Sequence, residues 1–206
     1  MMKLMYAPQS PFARKVRIAA IELGLDGEIE PVLQAVAPTK ENADYAALVN
    51  PLRKIPALIL DDGQAVYDST VICEYLDGLA GGGKIIPAAG PDRLETLTRH
   101  ALAQGMMEAA VLVRYETWLR PEEYRWSDYV DDQWDRVESG LDWIESNAKG
   151  LEGPINIAHI ALGCLLGYID FRWPDAGWRD GRSRLSTWSD WIARRDSFKK
   201  TAPRDS

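Results

Sequence analysis

The serine at position 10 lies where a predicted strand gives way to a predicted helix. Residues 3–6 are typical of a short strand, and Pro11 suits the first turn of a helix. At such a turn the Ser10 hydroxyl and free backbone N–H groups point to the same place, and the helix N-terminus adds partial positive charge. This arrangement favours an anion such as a thiolate. Taken alone, Ser10 is also typical of a simple helix N-cap.

A second helix start with polar side chains occurs at Asp68 and Ser69. The Ser69 hydroxyl and backbone N–H can hold a carboxylate there, and Asp68 can attract an ammonium group. Capping of the helix is the simpler interpretation, and it is compatible with binding.

Cysteine and histidine are too few for a disulfide framework or a metal centre. Cys73 and Cys164 lie far apart and form no CxxC motif, so we expect free, buried thiols in a reducing compartment. The two histidines, His100 and His159, have no cysteine or carboxylate cluster at ligand spacing. We therefore expect no metal site.

Composition and charge predict a folded protein of the cytoplasm. Of 206 residues, 46% are hydrophobic and 27% are charged, and 24 basic against 31 acidic residues give a net charge of −7. This charge argues against nucleic acid as a partner. Residues 1–6 are too short for the apolar core of a signal peptide, and polar residues interrupt the longest apolar stretch, 155–169. We expect no membrane partner.

The first eighty residues predict a small mixed sheet with helices. Asp62 and Gly63 are typical of a hairpin turn, and Gly24 is typical of a helix end. The expected strands cover 3–6, 29–33, 57–60 and 65–67, and the expected helices cover 10–23, 41–49 and 69–77. This βαβ-αββα order is the thioredoxin-like arrangement, with a parallel crossover followed by an antiparallel hairpin.

The remainder of the chain predicts an all-α helical bundle. All eight tryptophans lie in this part, and Gly81–Gly83, Pro87 and Pro91 form a linker-like composition before it. The expected helices are a long one over 91–119, one around 134–144, one over 156–171 and one over 183–194. We therefore predict a thioredoxin-like domain at 1–80, a linker at 81–90 and a helical domain at 91–206.

Three segments occur in the order and spacing found in bacterial glutathione transferases. Residues 10–16, SPFARKV, resemble the S-P-x-x-R-K-V start of the first helix in that family. Residues 50–58, NPLRKIPAL, resemble the N-P-x-x-K-[VI]-P-x-L segment with the family's cis-proline, and residues 67–72, YDSTVI, resemble its [ED]-S-x-[AV]-I segment. Before an all-helical second half, these motifs make the chain similar to the glutathione transferase superfamily, in its bacterial serine-type form.

The resemblance implies that glutathione is the co-substrate and that Ser10 donates a hydrogen bond to its thiolate. An apolar electrophile would bind between the two domains. The expected pocket residues are Phe12, Met107, Val111 and Tyr115. Packing in the core or in a dimer is the alternative role for the residues on the long helix.

The resemblance also implies an extended groove for the tripeptide. A cis Ile55–Pro56 bond would turn the N–H and C=O of Ile55 toward the cysteinyl unit, and Lys54 would meet the glycine carboxylate. Asp68 and Ser69 would hold the γ-glutamyl end. Without the family pattern, a trans proline before a strand is the usual expectation for Pro56. Lys54 is equally compatible with a solvated surface lysine.

The expected reaction is conjugation of glutathione to a small apolar electrophile, with peroxide reduction as a further activity. Residues 10–13, SPFA, replace the C-P-x-C of thioredoxin-like redox proteins, so a dithiol mechanism is excluded. Relatives imply a homodimer without metal. The alternatives are a non-catalytic binding or regulatory protein and a glutathione-dependent isomerase.

One departure from the family concerns the helix that begins near residue 156. Many relatives have a Ser/Thr-x-x-Asp capping box there, whereas residues 156–159 are NIAH. Asn156 can still cap, but a protonated His159 would oppose the helix dipole.

Overall fold

The computed structural model describes residues 1–205 and divides into two compact units. The first unit contains Met1–Arg93 together with the C-terminal segment that begins at Asp196. The second unit contains Leu94–Arg195. The end of the chain therefore belongs to the first unit, which is made of two separate segments of the sequence. The predicted division into consecutive domains at 1–80 and 91–206 does not include this return.

The first unit contains the predicted mixed sheet of four strands. The strands are β1 (Met2–Tyr6), β2 (Ile29–Leu33), β3 (Ala57–Ile59) and β4 (Ala65–Val66), in the order β2-β1-β3-β4. β1 pairs parallel with β2 and antiparallel with β3, and β3 pairs antiparallel with β4. The helices are α1 (Pro11–Glu22), α2 (Ala43–Leu48) and α3 (Ser69–Leu79). The predicted thioredoxin-like fold class is confirmed.

Local signals in the sequence explain where these elements begin and end. Ser10 caps α1 and Pro11 opens it, and Gly24 follows its end with a φ of 73°, a left-handed conformation that glycine adopts at little cost. In the hairpin between β3 and β4, the Asp62 carboxylate accepts a 2.9 Å hydrogen bond from the Gln64 N–H. Gly63 occupies the turn with a φ of 89°.

The sheet register brings three chain segments to one edge of the sheet. Met5, near the end of β1, pairs with Ala57 at the start of β3. Leu58 pairs with Val66, the last residue of β4. The residues that follow β1, precede β3 and follow β4 therefore lie at the same edge.

A buried carboxylate organises the glycine-rich segment after α3. Asp77 is 5% exposed, and its two oxygens accept hydrogen bonds from the N–H groups of Gly83, Lys84 and Ile85 at 2.8, 3.0 and 2.8 Å. The segment predicted as a linker thus has a defined conformation, because charge-assisted bonds hold its backbone.

Four helices form most of the second unit, as the predicted all-α part requires. They are α4 (Gly90–Arg114), α5 (Ser127–Ser146), α6 (Ile157–Arg172) and α7 (Ser183–Ile192). The long helix predicted over 91–119 changes to a π-helical turn at Tyr115–Leu119. There the Thr117 hydroxyl donates a 2.8 Å hydrogen bond to the Val113 carbonyl.

A short C-terminal helix, α8 (Asp196–Lys200), packs on α1 in the first unit. The Arg14 guanidinium donates a hydrogen bond of 3.2 Å to the Phe198 carbonyl and lies 5.4 Å from the Phe198 ring centroid. The two residues are 184 positions apart in sequence.

The N-terminus of α6 is capped although the Ser/Thr-x-x-Asp capping box of many relatives is absent. The Asn156 side chain accepts hydrogen bonds from the N–H groups of Ala158 and His159 at 3.0 and 3.1 Å, so the predicted cap is confirmed. Burial lowers the pKa of His159, although its hydrogen bonds to backbone carbonyls oppose this. The lowered pKa favours the neutral ring, and its Nε2 lies within hydrogen-bond distance of the Gly150 carbonyl oxygen, at 2.9 Å. A neutral ring does not oppose the helix dipole.

Candidate glutathione site

Ser10 caps α1 and still has a hydrogen-bond donor to offer. Its backbone is extended (φ −78°, ψ 119°), and its Oγ accepts a 3.2 Å hydrogen bond from the Ala13 N–H. A hydroxyl carries one proton and two lone pairs, so accepting the cap bond leaves the Oγ–H free to donate elsewhere. The side chain is half-buried. Capping and donation to an anion are therefore compatible at this residue.

The Ile55–Pro56 peptide bond is cis, as predicted. Pro56 is buried, Ile55 is half-buried and Lys54 is exposed. The ladder between β1 and β3 ends at the Met5–Ala57 pair, so Ile55 lies beyond it. A strand that continues past its ladder can add a further chain by backbone hydrogen bonds.

The turn before this bond is held by two side chains that the sequence did not single out for this role. Tyr45 Oη and Asn50 Nδ2 each donate a 2.9 Å hydrogen bond to the Lys54 carbonyl. Asn50 Oδ1 also accepts a 3.0 Å bond from the Leu52 N–H, and Arg53 turns the chain with a φ of 54°. Burial raises the pKa of Tyr45 to about 12, so the phenol remains a donor at neutral pH.

The start of α3 agrees with the helix start predicted at Asp68 and Ser69. Asp68 is the N-cap: its Oδ1 accepts a 2.9 Å hydrogen bond from the Thr70 N–H. Ser69 is the first helical residue and is 1% exposed, whereas Asp68 is exposed. The Tyr67–Asp68 peptide bond is also cis, although no proline is involved.

A buried lysine connects the two helix starts. Lys15 is 0% exposed, and its Nζ lies 3.4 Å from the Thr70 hydroxyl oxygen in the first turn of α3. A buried ammonium group needs hydrogen-bond partners, and Thr70 of α3 supplies one of them to Lys15 of α1. Lysine side chains are usually exposed, so the motif at residues 10–16 does not by itself predict that Lys15 is buried.

These segments meet at one edge of the sheet. Ser10 follows β1, the cis Ile55–Pro56 bond precedes β3, and Asp68 follows β4. The edge therefore combines two helix N-termini, which favour anions, with a strand end that can pair with a peptide. An extended peptide with anionic groups matches this combination.

The four residues predicted for an electrophile pocket differ in exposure. Met107 is 0% exposed and belongs to the core, in agreement with the packing alternative. Phe12, Val111 and Tyr115 are half-buried. Burial raises the pKa of Tyr115, so its phenol is neutral at physiological pH.

Three further observations concern residues outside this edge. Cys73 and Cys164 are buried thiols that form no disulfide bond with each other. Within residues 1–205, no group of three or more His, Cys, Asp or Glu side chains is placed to hold a metal ion. In the same range, no helix has the length and apolar character needed to cross a membrane.

Comparison with known proteins matches both parts of the chain to one family. Residues 9–79 match the glutathione S-transferase N-terminal domain, and residues 127–190 match the glutathione S-transferase C-terminal domain. The chain is 31% identical to the uncharacterised GST-like protein YibF of Escherichia coli K12, over 98% of each chain. It belongs to the glutathione S-transferase family.

Solved structures of bacterial family members agree with this assignment. A glutathione transferase family member from Pseudomonas fluorescens Pf-5, crystallised with bound glutathione, is 40% identical with a TM-score of 0.95; the match covers 99% of this chain and 100% of that one. A glutathione S-transferase from Methylobacillus flagellatus KT, with glutathione bound, is 35% identical with a TM-score of 0.87 over the same shares.

Proposed function

We propose that this protein binds glutathione and transfers its thiolate to small apolar electrophiles. The observation that carries the proposal is Ser10, whose hydroxyl caps α1 through its oxygen and retains a hydrogen to donate. A free thiol has a pKa near 8.5, so only about 3% is ionised at pH 7. Lowering the pKa by about two units takes roughly 2.7 kcal/mol and ionises about 75%. A preorganised donor at a helix terminus supplies stabilisation of that order.

The rest of the tripeptide would follow the sheet edge. Ile55 would pair its backbone with the cysteinyl unit as an added strand, and Lys54 would approach the glycine carboxylate. Asp68 would attract the γ-glutamyl ammonium, and Ser69 with the N-terminus of α3 would hold the adjoining carboxylate. The similarity to bacterial family members crystallised with glutathione supports this placement.

The reaction requires no group beyond the two substrates. The thiol proton leaves to solvent while Ser10 holds the thiolate. The sulfur then forms a bond to the electrophilic carbon, and in a substitution the leaving group departs with its bonding pair. In an addition the π bond of the electrophile breaks instead, and the atom next to the attacked carbon takes the electron pair and then a proton from solvent. In glutathione-dependent peroxide reduction the same thiolate would attack a peroxide oxygen, and the O–O bond would break to release an alcohol or water and leave a sulfenic acid on the glutathione sulfur. A second glutathione would then displace water from this sulfur and form glutathione disulfide. Phe12, Val111 and Tyr115, which are half-buried, are the candidates for contact with the electrophile.

The proposal is tested in two stages with the full chain. Retention on immobilised glutathione measures binding, and thiol consumption with 1-chloro-2,4-dinitrobenzene measures transfer. We expect Ser10→Ala to lower kcat/KM by about 100-fold, the usual effect of removing one such donor. Ser127→Ala, at the start of α5, is the matched control and is expected to retain full activity.

Each outcome of this test has a defined meaning. Full activity in Ser10→Ala would remove the assigned role of Ser10. Retention on glutathione without turnover of any electrophile or peroxide would favour the alternative of a non-catalytic binding or regulatory protein.

We further propose that the protein is a cytoplasmic homodimer. The family resemblance supports the dimer, and Leu48 and Leu52 supply exposed apolar surface in the first unit, at 78% and 65% exposure. Cys73 and Cys164 form no disulfide bond with each other, which is compatible with a reducing compartment. Light scattering after size exclusion is expected to give a mass of twice 23.1 kDa.

A further inference from the structure

A cavity of about 770 Å³ lies within the second unit. It is bordered by the end of α4, the π-helical turn, the first half of α5 and the loop that follows α6. Its volume falls in the range of small-molecule sites. None of the residues assigned to glutathione lines it.

Two tryptophans form an aromatic corner of the cavity. Trp134 and Trp173 both line it, with ring centroids 5.2 Å apart and planes inclined at 64°. Trp173 also makes a T-shaped contact with Tyr168, with ring centroids 5.8 Å apart and planes inclined at 84°. Indole faces at an angle to each other attract a cation through their π electrons and pack against apolar groups.

The carboxylates around the cavity give it a negative charge. Asp131 and Asp135 lie one turn apart on the same face of α5 as Trp134, and Asp175 lies in the loop after α6. Within residues 1–205, none of these three carboxylates has an ion-pair partner. Asp131 and Asp135 repel each other, because they carry like charges one helical turn apart. A bound cation would reduce this repulsion.

The other charged groups do not cancel this excess. Glu138 also lines the cavity, but it is paired with Arg182 at 2.6 Å. Of the described residues that line the cavity, only Arg172 is basic, and its guanidinium lies 4.1 Å from the Phe171 ring centroid. Apart from the Glu138–Arg182 pair, the lining therefore contains three carboxylates and one guanidinium.

We propose that this cavity binds an organic cation, an amine or quaternary ammonium group attached to an apolar or aromatic body. The tryptophan corner would hold the ammonium and its apolar substituents, and Asp131 and Asp135 would supply the charge. Anionic compounds, glutathione included, would be excluded. The cavity therefore selects the opposite charge from that favoured by the helix starts at Ser10 and Asp68.

The test compares three probes of similar size on the full-length protein by calorimetric titration. Phenyltrimethylammonium is the cation, tert-butylbenzene is its uncharged isostere, and benzenesulfonate is the anion. We expect only the cation to bind measurably, with an affinity that falls several-fold when the salt concentration is raised to about 0.5 M. Equal binding of the uncharged isostere, or no binding of the cation, would overturn the proposal.

Paired variants on α5 locate the charge. Asp131→Asn with Asp135→Asn is expected to weaken cation binding by about tenfold, because two nearby charges are lost. Asp128→Asn with Asp132→Asn changes the net charge equally but removes no residue that lines the cavity, and it is expected to bind as the wild type does. Equal effects of the two double variants on cation binding would contradict the assigned site. If a variant fails to fold, the salt dependence of cation binding by the wild type still tests the proposal.

The inference is independent of the proposed transferase activity. Ser10→Ala, which tests that activity, is expected to leave cation binding unchanged. Loss of conjugation with normal cation binding, or the reverse, identifies which proposal fails.

Discussion

The phenolic O–H of Tyr45 donates a 2.9 Å hydrogen bond to the backbone carbonyl of Lys54. Tyr45 belongs to α2, and Lys54 precedes the cis Ile55–Pro56 bond. The bond joins a short helix outside the predicted site to the segment that would pair with glutathione. It makes Tyr45 a positioning residue, because it acts through the backbone and not on the substrate itself.

Tyr45→Phe removes this hydrogen bond while keeping the ring. Asn50 still donates to the same carbonyl, so we expect a loss of about 1 kcal/mol in unfolding free energy. If the segment binds glutathione, KM for glutathione rises several-fold with kcat nearly unchanged. Steady-state kinetics with varied glutathione separate the two constants. Tyr124→Phe, at a residue 67% exposed, is the control, and an equal change in both variants would contradict the positioning role.

Ser10→Asp separates capping from donation. Aspartate is as good an N-cap as serine, so α1 and the unfolding free energy are expected to change little. A carboxylate offers no proton at neutral pH and repels a thiolate, so the proposed mechanism predicts a higher pKa for bound glutathione. The pH profile of kcat/KM should shift to higher pH, whereas Ser10→Thr should retain the wild-type profile. An unshifted profile in Ser10→Asp would count against thiolate stabilisation at this position.

His159 predicts a decrease in stability at mildly acidic pH. Burial lowers its pKa in the folded protein, with Arg99 adding to the effect, so below about pH 6.5 the unfolded chain binds the proton more readily. The stabilisation is fully present above the unfolded pKa of about 6.5 and is lost as the pH falls toward the folded pKa, at up to about 1.4 kcal/mol per pH unit.

Urea unfolding between pH 7.5 and 5 measures this slope. His159→Gln keeps an N–H donor for the Gly150 carbonyl but does not titrate, so its unfolding free energy should depend less on pH. His100 is the other histidine, and any slope that remains in this range includes its contribution. A slope identical to that of the wild type would show that His159 is not responsible.

Asp77→Asn tests the carboxylate that orders the segment after α3. An amide keeps one acceptor oxygen but places an NH₂ group against backbone N–H donors, so we expect a loss of about 1–3 kcal/mol. The measurements are the denaturant midpoint and the rate of proteolysis within residues 81–85. Asp92→Asn, an exposed residue in the first turn of α4, should change both only slightly. Unchanged proteolysis in Asp77→Asn would mean that other contacts order the segment.

Much of the fold follows from local sequence. The caps at Ser10 and Asn156, the stop at Gly24 and the turn at Asp62–Gly63 depend on a few neighbouring residues, because each satisfies or redirects the backbone within one turn. Together with hydrophobic spacing, these signals predict the order of elements and hence the fold class. The motifs around residues 10, 56 and 68 likewise predict the segments of the candidate site.

Other features depend on groups brought together across long stretches of chain. Neither the packing of α8 on α1 through Arg14 and Phe198 nor the contact between Lys15 and Thr70 has a local signal. The same holds for the cavity with Trp134 and Trp173, whose lining comes from several helices. A residue's local sequence determines its backbone preference, but the energy of a buried charge or an aromatic contact depends on its neighbours in space. The sequence therefore determined which segments could serve the site, and the tertiary structure decided which side chains hold them in place.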